Sequence, residues 1–343
     1  RRGLKVSNSA IALESTAHSV FATRALRALH AQAAMPGCPA ACALWHLTAH
    51  GSNAAATVST ERWDLELVVS ATPAPAARQQ ASYGAFIVGT HSCKAQSLGT
   101  SAAEASATDP QQLTLLEVSY VALHGTRDNR STLAGRLVGA AVGMGGSNAS
   151  YSSSRSVAVP TDASRDSAAG SAFAATGGTL SIASGRISFT LGLNGQCVTV
   201  DTACSSTLAA LHVGSSSLRL DQSVGCVAAG VGLLLDSGVF AAFGVANMLS
   251  PRGRCHTFDS RADGYCRAEG SGAVTMAPGG PAAGEAAASV LGSGAQQDGA
   301  TCHTGKKKNG EQTTTTKLNQ IGAECTPPID VVTQSAQSPD FNI

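Results

Sequence analysis

Between Cys197 and Leu235 the chain reads as strand, turn, helix and strand, and that alternation narrows the fold more than any other feature. CVTV (197–200) is a compact buried strand, DTACSSTLAALHVGSSSLRL (201–220) a helix, and VGCVAAGVGLLL (224–235) strand-like again. Short β-branched runs bounded by turn residues suit strands, and longer stretches with apolar residues at helical spacing suit helices. The pattern continues on both sides. DPQQLTLLEVSYVALHG (109–125) has Asp109 as N-cap, Pro110 at the first helical position and Gly125 after the end, with Leu113, Leu116, Tyr120 and Leu123 as an apolar stripe. LVGAAVGM (137–144) reads as a buried strand and TLSIASGRISFTLGL (179–193) as a helix. GAVTM (272–276) and ASVLGSGA (288–295) read as a pair of strands joined by a Gly/Pro/Ala turn. Strands alternating with helices predict an α/β layered fold.

Composition decides how such layers pack. Hydrophobic residues make up 43% of the 343 positions, mostly Ala, Val and Leu, and aromatics only 4%, so backbone packs closely against backbone. The net charge of +1 gives no bulk attraction for nucleic acid. Ten cysteines at irregular spacing, without a CxxC, read as reduced thiols in an intracellular chain. The apolar stretch Gly225–Leu249 is long enough to span a bilayer, but Asp236 and repeated glycines divide it into a buried strand, a turn and a core helix, so no membrane is expected.

Three segments stand apart. Residues 1–35 are rich in Ala, Ser and Arg with one acidic residue, Glu14, and resemble an organelle transit peptide; the competing readings are an eroded first element of the domain or an artefact of the gene's reading. The division expected is a poorly defined segment over 1–24, one domain over 25–300 and a low-complexity, disordered tail over 301–343. A long surface loop carrying a short helix is expected over 145–175. In the helix read over 36–51, Cys38, Cys42, His46 and His50 recur every fourth residue. The rise from the first to the last is about 18 Å, whereas zinc needs every ligand within about 2.3 Å, so they form a polar stripe and not a metal site. GxSxG, GxGxxG and GxxxxGK[ST] do not occur, which removes the hydrolase elbow and the two common nucleotide-binding loops.

The strand–turn–helix order places Cys204 at a helix N-terminus, where the dipole and free N–H groups favour the thiolate, the reactive form. Ala203, Ser205 and Ser206 leave room for a substrate, and the same N–H groups can hold an oxyanion. The competing reading is a small buried cysteine filling a strand–helix corner.

VTVDTACSSTLAALH (198–212) resembles the active-site segment of β-ketoacyl synthases, closest to the ketosynthase domains of modular polyketide synthases. Further matches follow in family order: PG and LW within 36–45, ERWD at 61–64, DPQQLTLLEVSYVAL at 109–123, SGRISFTLGLNGQCVTV at 184–200, MLSPRGRCHTFDSRADGYCRAEGSGAV at 248–274 and SGAQQDG at 293–299. The resemblance implies a thiolase-like fold of αβαβα layers, here with the N-terminal half essentially complete and the C-terminal half truncated, in an enzyme that forms homodimers. It implies that Cys204 takes an acyl group from the phosphopantetheine thioester of an acyl carrier protein. A malonyl-type extender then loses CO2 and attacks that acyl group, in polyketide or fatty-acid synthesis. No cofactor is bound directly, and the compartment is the cytoplasm or a plastid. Asp201, Thr202, Ala203, Ser205 and Ser206 support the cysteine, and Asp259, Asp263, Tyr265 and Glu269 brace the floor of the site.

Two departures bear on activity. The family's histidines, in HGTGT and NxGH motifs after the cysteine, have no counterpart: only His212, His256 and His303 follow Cys204. The family's Gly- and Phe-rich oxyanion loop is missing as well. An HGT at 124–126 precedes the cysteine, at a helix end, and takes no catalytic role. A second reading follows, a non-catalytic ketosynthase-like partner or dimerisation scaffold.

Overall fold

Small side chains let strands and helices approach closely, and the Ala/Gly-rich runs of this chain are drawn into one mixed sheet. The computed structural model describes residues 25–38, 41–60, 62–66, 68, 75–89, 98–145, 173, 175–279, 287–295, 319–321 and 331–333. Its strands are β1 (Leu26–Ala34), β2 (Ala56–Thr57), β3 (Tyr83–Ala85), β4 (Val138–Met144), β5 (Cys197–Val200), β6 (Gly225–Gly232), β7 (Arg267–Ala268), β8 (Gly270–Pro278), β9 (Ala288–Val290), β10 (Asn319–Ile321) and β11 (Val331–Thr333). Its helices are α1 (Ala41–Ala49), α2 (Pro75–Gln80), α3 (Ala102–Ala107), α4 (Pro110–His124), α5 (Arg130–Leu133), α6 (Ile182–Leu191), α7 (Ser206–Arg219) and α8 (Ser237–Val245).

The main sheet has the order β5-β4-β6-β8-β1-β9. β5, β4 and β6 run parallel, while β8, β1 and β9 each pair antiparallel with the preceding strand in that order. Period-two alternation sends Val138, Ala140, Val142 and Met144, with Val227, Ala229 and Val231, to one face, where they meet Leu115, Leu116 and Leu123 of α4 and Ile187 and Leu191 of α6. Ala141, Cys226 and Ala228 point the other way, to Ala210 and Leu218 of α7 and to Met276. Helices therefore cover both faces, as the alternation predicts. Each fully buried Leu or Ile contributes about 1.5–3 kcal/mol. β2, β3 and β7 form a smaller sheet, and β10 pairs with β11.

α4 starts as its caps dictate: the Asp109 carboxylate accepts from the N–H of Gln111 at 2.8 Å and Pro110 opens the helix. The apolar stripe understates its burial, because Gln111, Gln112, Thr114 and Ser119 are buried too. Tertiary partners satisfy the two amides. The Gln111 carbonyl accepts from the Leu233 N–H at 3.1 Å, and the Gln112 carbonyl accepts from Nε of Arg186 at 2.9 Å.

Several expectations need correction. The strands at 272–276 and 288–295 do not form a hairpin, because β1 lies between them and pairs with both. The transit-like composition of 1–35 hides that strand: Leu26–Ala34 is part of the sheet, and Leu26 is fully buried. CVTV is an edge strand rather than a buried one, with Cys197 exposed and the other three residues half-buried, since β5 has a neighbour on one side only. α8 is a half-exposed helix in which only Phe240 and Gly244 are buried. The helix read over 36–51 begins at Ala41; before it, Met35 and Cys38 exchange backbone hydrogen bonds around a turn, so Cys38 is off the helix. No helix among the described residues is long and apolar enough to cross a membrane. The segment 1–24, the 145–175 loop and the 301–343 tail lie wholly or almost wholly outside the described residues.

Candidate active site

β5 ends at Val200, the chain turns through Asp201–Ser205, and α7 begins at Ser206. The turn is closed by side chains that its own sequence supplies. Asp201 accepts from the Ala203 N–H at 2.9 Å, and the Ser206 hydroxyl accepts from the Thr202 N–H at 2.8 Å while donating to the Ala203 carbonyl at 2.7 Å. The Ser205 hydroxyl lies 2.9 Å from both the carbonyl and the hydroxyl of Thr202. These bonds hold Ala203 at φ 54°, a left-handed conformation that costs a non-glycine residue about 1–3 kcal/mol. Cys204 follows it on a 3-10 turn and is exposed, which excludes the corner-filling reading.

Two glycines of the sheet fix the height of this turn. A Cβ on Gly143 of β4 would collide with the main chain of Ser206 and Thr207, and a Cβ on Gly230 of β6 with the Thr207 hydroxyl. α7 can seat its N-terminus over β4 and β6 only because these positions lack a side chain.

Cys204 opens onto a cavity of about 1150 Å³. Asp201, Ala203 and Ser206 line it beside the cysteine, and Tyr265 and Glu269 line it from either side of β7. Glu269 is the buried part of this lining, at the floor of the cavity. Only 3% exposed, it pairs with Arg62 at 2.8 Å and accepts from the N–H groups of Ile87 at 2.7 Å and Leu234 at 2.9 Å. Burial pushes its carboxyl up, against the pull of those donors and of Arg62. Asp259 and Asp263 are not part of the lining. They sit on the loop at the rim, Asp259 paired with Arg261 at 2.6 Å and Asp263 with Arg252 at 2.9 Å. Thr202 and Ser205 act within the turn.

Sequence reasoning passes over three side chains at the site. Gln111 lines the cavity, Arg62 anchors Glu269, and Arg267 lines the cavity with its guanidinium 4.8 Å from the Phe243 ring centre and 5.4 Å from that of Phe240. Arg62 falls in the ERWD match, but only a contact 207 residues away in sequence reveals its partner. Of the histidines after the cysteine, His212 bonds Ser293 at 3.1 Å and is shifted to lower pKa by burial and by Arg219. His124 ends α4 beside Tyr120 and does not line the cavity.

The fold and the site define an α/β protein with an exposed cysteine on a strained turn at a helix N-terminus, over a mixed sheet covered by helices on both faces. Comparison with known proteins makes this specific. Residues 31–281 match the family model "Beta-ketoacyl synthase, N-terminal domain", and the chain belongs to the β-ketoacyl synthase family. It is 36% identical over 232 residues to a phenolphthiocerol/phthiocerol polyketide synthase of Mycobacterium tuberculosis, covering 68% of this chain and 14% of that one. It is 34% identical over 233 residues to a mycocerosic acid synthase-like polyketide synthase of Mycolicibacterium smegmatis, covering 68% and 11%. Among solved structures, the ketosynthase from module 6 of the Bacillus subtilis bacillaene synthase superposes with a TM-score of 0.68 at 24% identity, over 81% of this chain and 45% of that one. The oxazolomycin ketosynthase domain of Streptomyces albus gives 0.66 at 23%, over 78% and 45%. The thiolase-like fold is thereby established, over a chain that spans a small fraction of the synthases and under half of the isolated ketosynthases.

Proposed function

We propose that this chain carries the acyl-loading half of a β-ketoacyl synthase site, with Cys204 as the nucleophile. The observation that carries the reading is the exposed Cys204 thiol on its strained, fully bonded turn, facing the cavity. In loading, the Cys204 sulfur attacks the carbonyl of an acyl thioester, the negative charge develops on the carbonyl oxygen, and the thiol of the carrier leaves. The positive end of the α7 dipole, beside the cysteine, favours that charge. The donor is an acyl group on the phosphopantetheine of an acyl carrier protein, and the acceptor in the full reaction is a malonyl-type extender that loses CO2. The chain itself binds no cofactor in this scheme. Glu269 shapes the cavity floor, Tyr265 its wall, and Asp259 and Asp263 its rim.

Condensation needs groups that stabilise the extender's enolate, and His212, His256 and His303 do not stand in the family's motifs. The chain by itself therefore loads acyl groups without elongating them. Incubated with an acyl-phosphopantetheine thioester, the protein gains the mass of one acyl group, and C204A gains none. Acylation that persists in C204A would overturn the assignment, as would an elongated product from this chain alone.

A homodimer through the open edge of β5 fits the exposure of that strand and of Phe189 on α6, which is 91% exposed. The missing histidine motifs favour the second reading, a non-catalytic partner or dimerisation scaffold; mixing with an active ketosynthase separates the two, since a scaffold associates without ever loading. The compartment proposed is the cytoplasm, and the bacterial relatives give the plastid reading no support.

A further inference from the structure

Two thiols outside the nucleophile turn meet at the rim of the cavity. The Cys255 sulfur accepts the main-chain N–H of Cys266 at 3.2 Å and lies 3.9 Å from the Cys266 carbonyl oxygen. Cys255 is exposed, while Cys266 is half-buried and lines the cavity with Tyr265 and Arg267. A cysteine's own sulfur lies roughly 3 Å from its main-chain nitrogen in two of its three staggered rotamers. Both sulfurs can therefore lie close to one nitrogen, which brings the two thiols into the same neighbourhood. Each is a free thiol. The Cys266 sulfur at present faces the Arg267 carbonyl at 3.6 Å, a weak contact and cheap to leave.

We propose that Cys255 and Cys266 are a reversible dithiol–disulfide pair, a modification site on the cavity rim distinct from Cys204. The oxidant is hydrogen peroxide. The exposed Cys255 sulfur attacks the peroxide O–O bond, becoming a sulfenic acid and releasing water. The Cys266 sulfur then attacks the Cys255 sulfur, the S–S bond forms, and the sulfenic oxygen leaves as a second water. Two thiols lose two hydrogens and one peroxide becomes two waters. Burial and the nearby Cys255 raise the pKa of the Cys266 thiol, so the closing step quickens as pH rises. Cys226, buried with its thiol pushed up to about 12, stays out of the exchange. The bond would pin the loop that carries Asp259, Asp263 and Tyr265, and with it one side of the entrance above Cys204.

The sequence provides a direct assay. Arg254, Arg261 and Arg267 are trypsin sites, so the two cysteines fall in separate peptides, residues 255–261 and 262–267. The full chain is treated with stoichiometric hydrogen peroxide, alkylated and digested without reduction. Most of the signal of the two peptides is expected to move to one linked species, two hydrogens lighter than their sum, which dithiothreitol separates. C255S and C266S each abolish the link. Protection of Cys226 from alkylation before digestion shows that the protein was folded. Two separately alkylated peptides after peroxide would overturn the proposal, and so would a link from either cysteine to the Cys204 peptide.

Discussion

The floor of the cavity and its rim are held by opposite means. At the floor, Glu269 is bonded to Arg62 and two main-chain N–H groups out of water, and the turn that carries Cys204 lies directly on Gly143 and Gly230. At the rim, Asp259–Arg261 and Asp263–Arg252 are ion pairs on an exposed loop that also carries the fully exposed Phe258 at φ 61°. Buried polar groups have no water to replace a lost partner, whereas exposed pairs exchange one for the other at little cost. The position of the cysteine therefore rests on the floor, and the rim is the part free to move or be modified.

The largest effect expected at the floor comes from E269A. It takes the paired carboxylate from the Arg62 guanidinium, whose side chain is 6% exposed and which keeps the Ile87 carbonyl as a hydrogen-bond acceptor. It also leaves the N–H groups of Ile87 and Leu234 without their acceptor. Breaking a buried pair by removing one partner costs about 3–5 kcal/mol. Urea unfolding should show a loss of unfolding free energy of that size; a loss no larger than that of a rim variant would erase the distinction between the regions.

Next comes G143A. The added methyl meets the main chain of Ser206 and Thr207, which cannot yield as a flexible side chain would. Overpacking of this kind costs about 1–3 kcal/mol. Because the strain is applied one residue beyond Ser205, the rate of acyl loading at Cys204 should fall more than stability alone explains. Loading at the normal rate in a folded G143A protein would show that the turn is not seated by the sheet.

The same contrast explains what can be read from the sequence. Local chemistry is legible: Asp109 as the cap of α4, the strand β4, and Cys204 between β5 and α7 all follow from neighbours within a few residues. Long-range pairing is not. β1 has too little β-branched character to announce itself, and it pairs with β8 some 250 residues away, so the strands flanking it read as a hairpin. The edge position of β5 cannot be seen in CVTV, because a half-buried edge strand and a buried central one share the same composition. Glu269 and Asp259 stand equal as acidic residues of one matched segment. Only tertiary structure separates them, sending one under the cavity and leaving the other at its rim.

Their titrations carry that separation into solution, with opposite signs. Arg261 holds the Asp259 carboxyl at about 2, below the roughly 3.9 of an unfolded chain. Its contribution is therefore present above a pH of about 4 and is lost as pH falls toward about 2. Burial raises Glu269 despite Arg62, so the stability tied to its titration is greatest in acid and declines as pH rises through its raised value. Stability measured against pH for D259N and E269Q, each relative to the parent, should diverge in opposite directions below neutrality. The rim curve should be the shallower and should flatten in high salt, because Asp259 and Arg261 are in contact with water. A Glu269 curve equally sensitive to salt would mean that water reaches the floor, and that the two regions differ in degree rather than in kind.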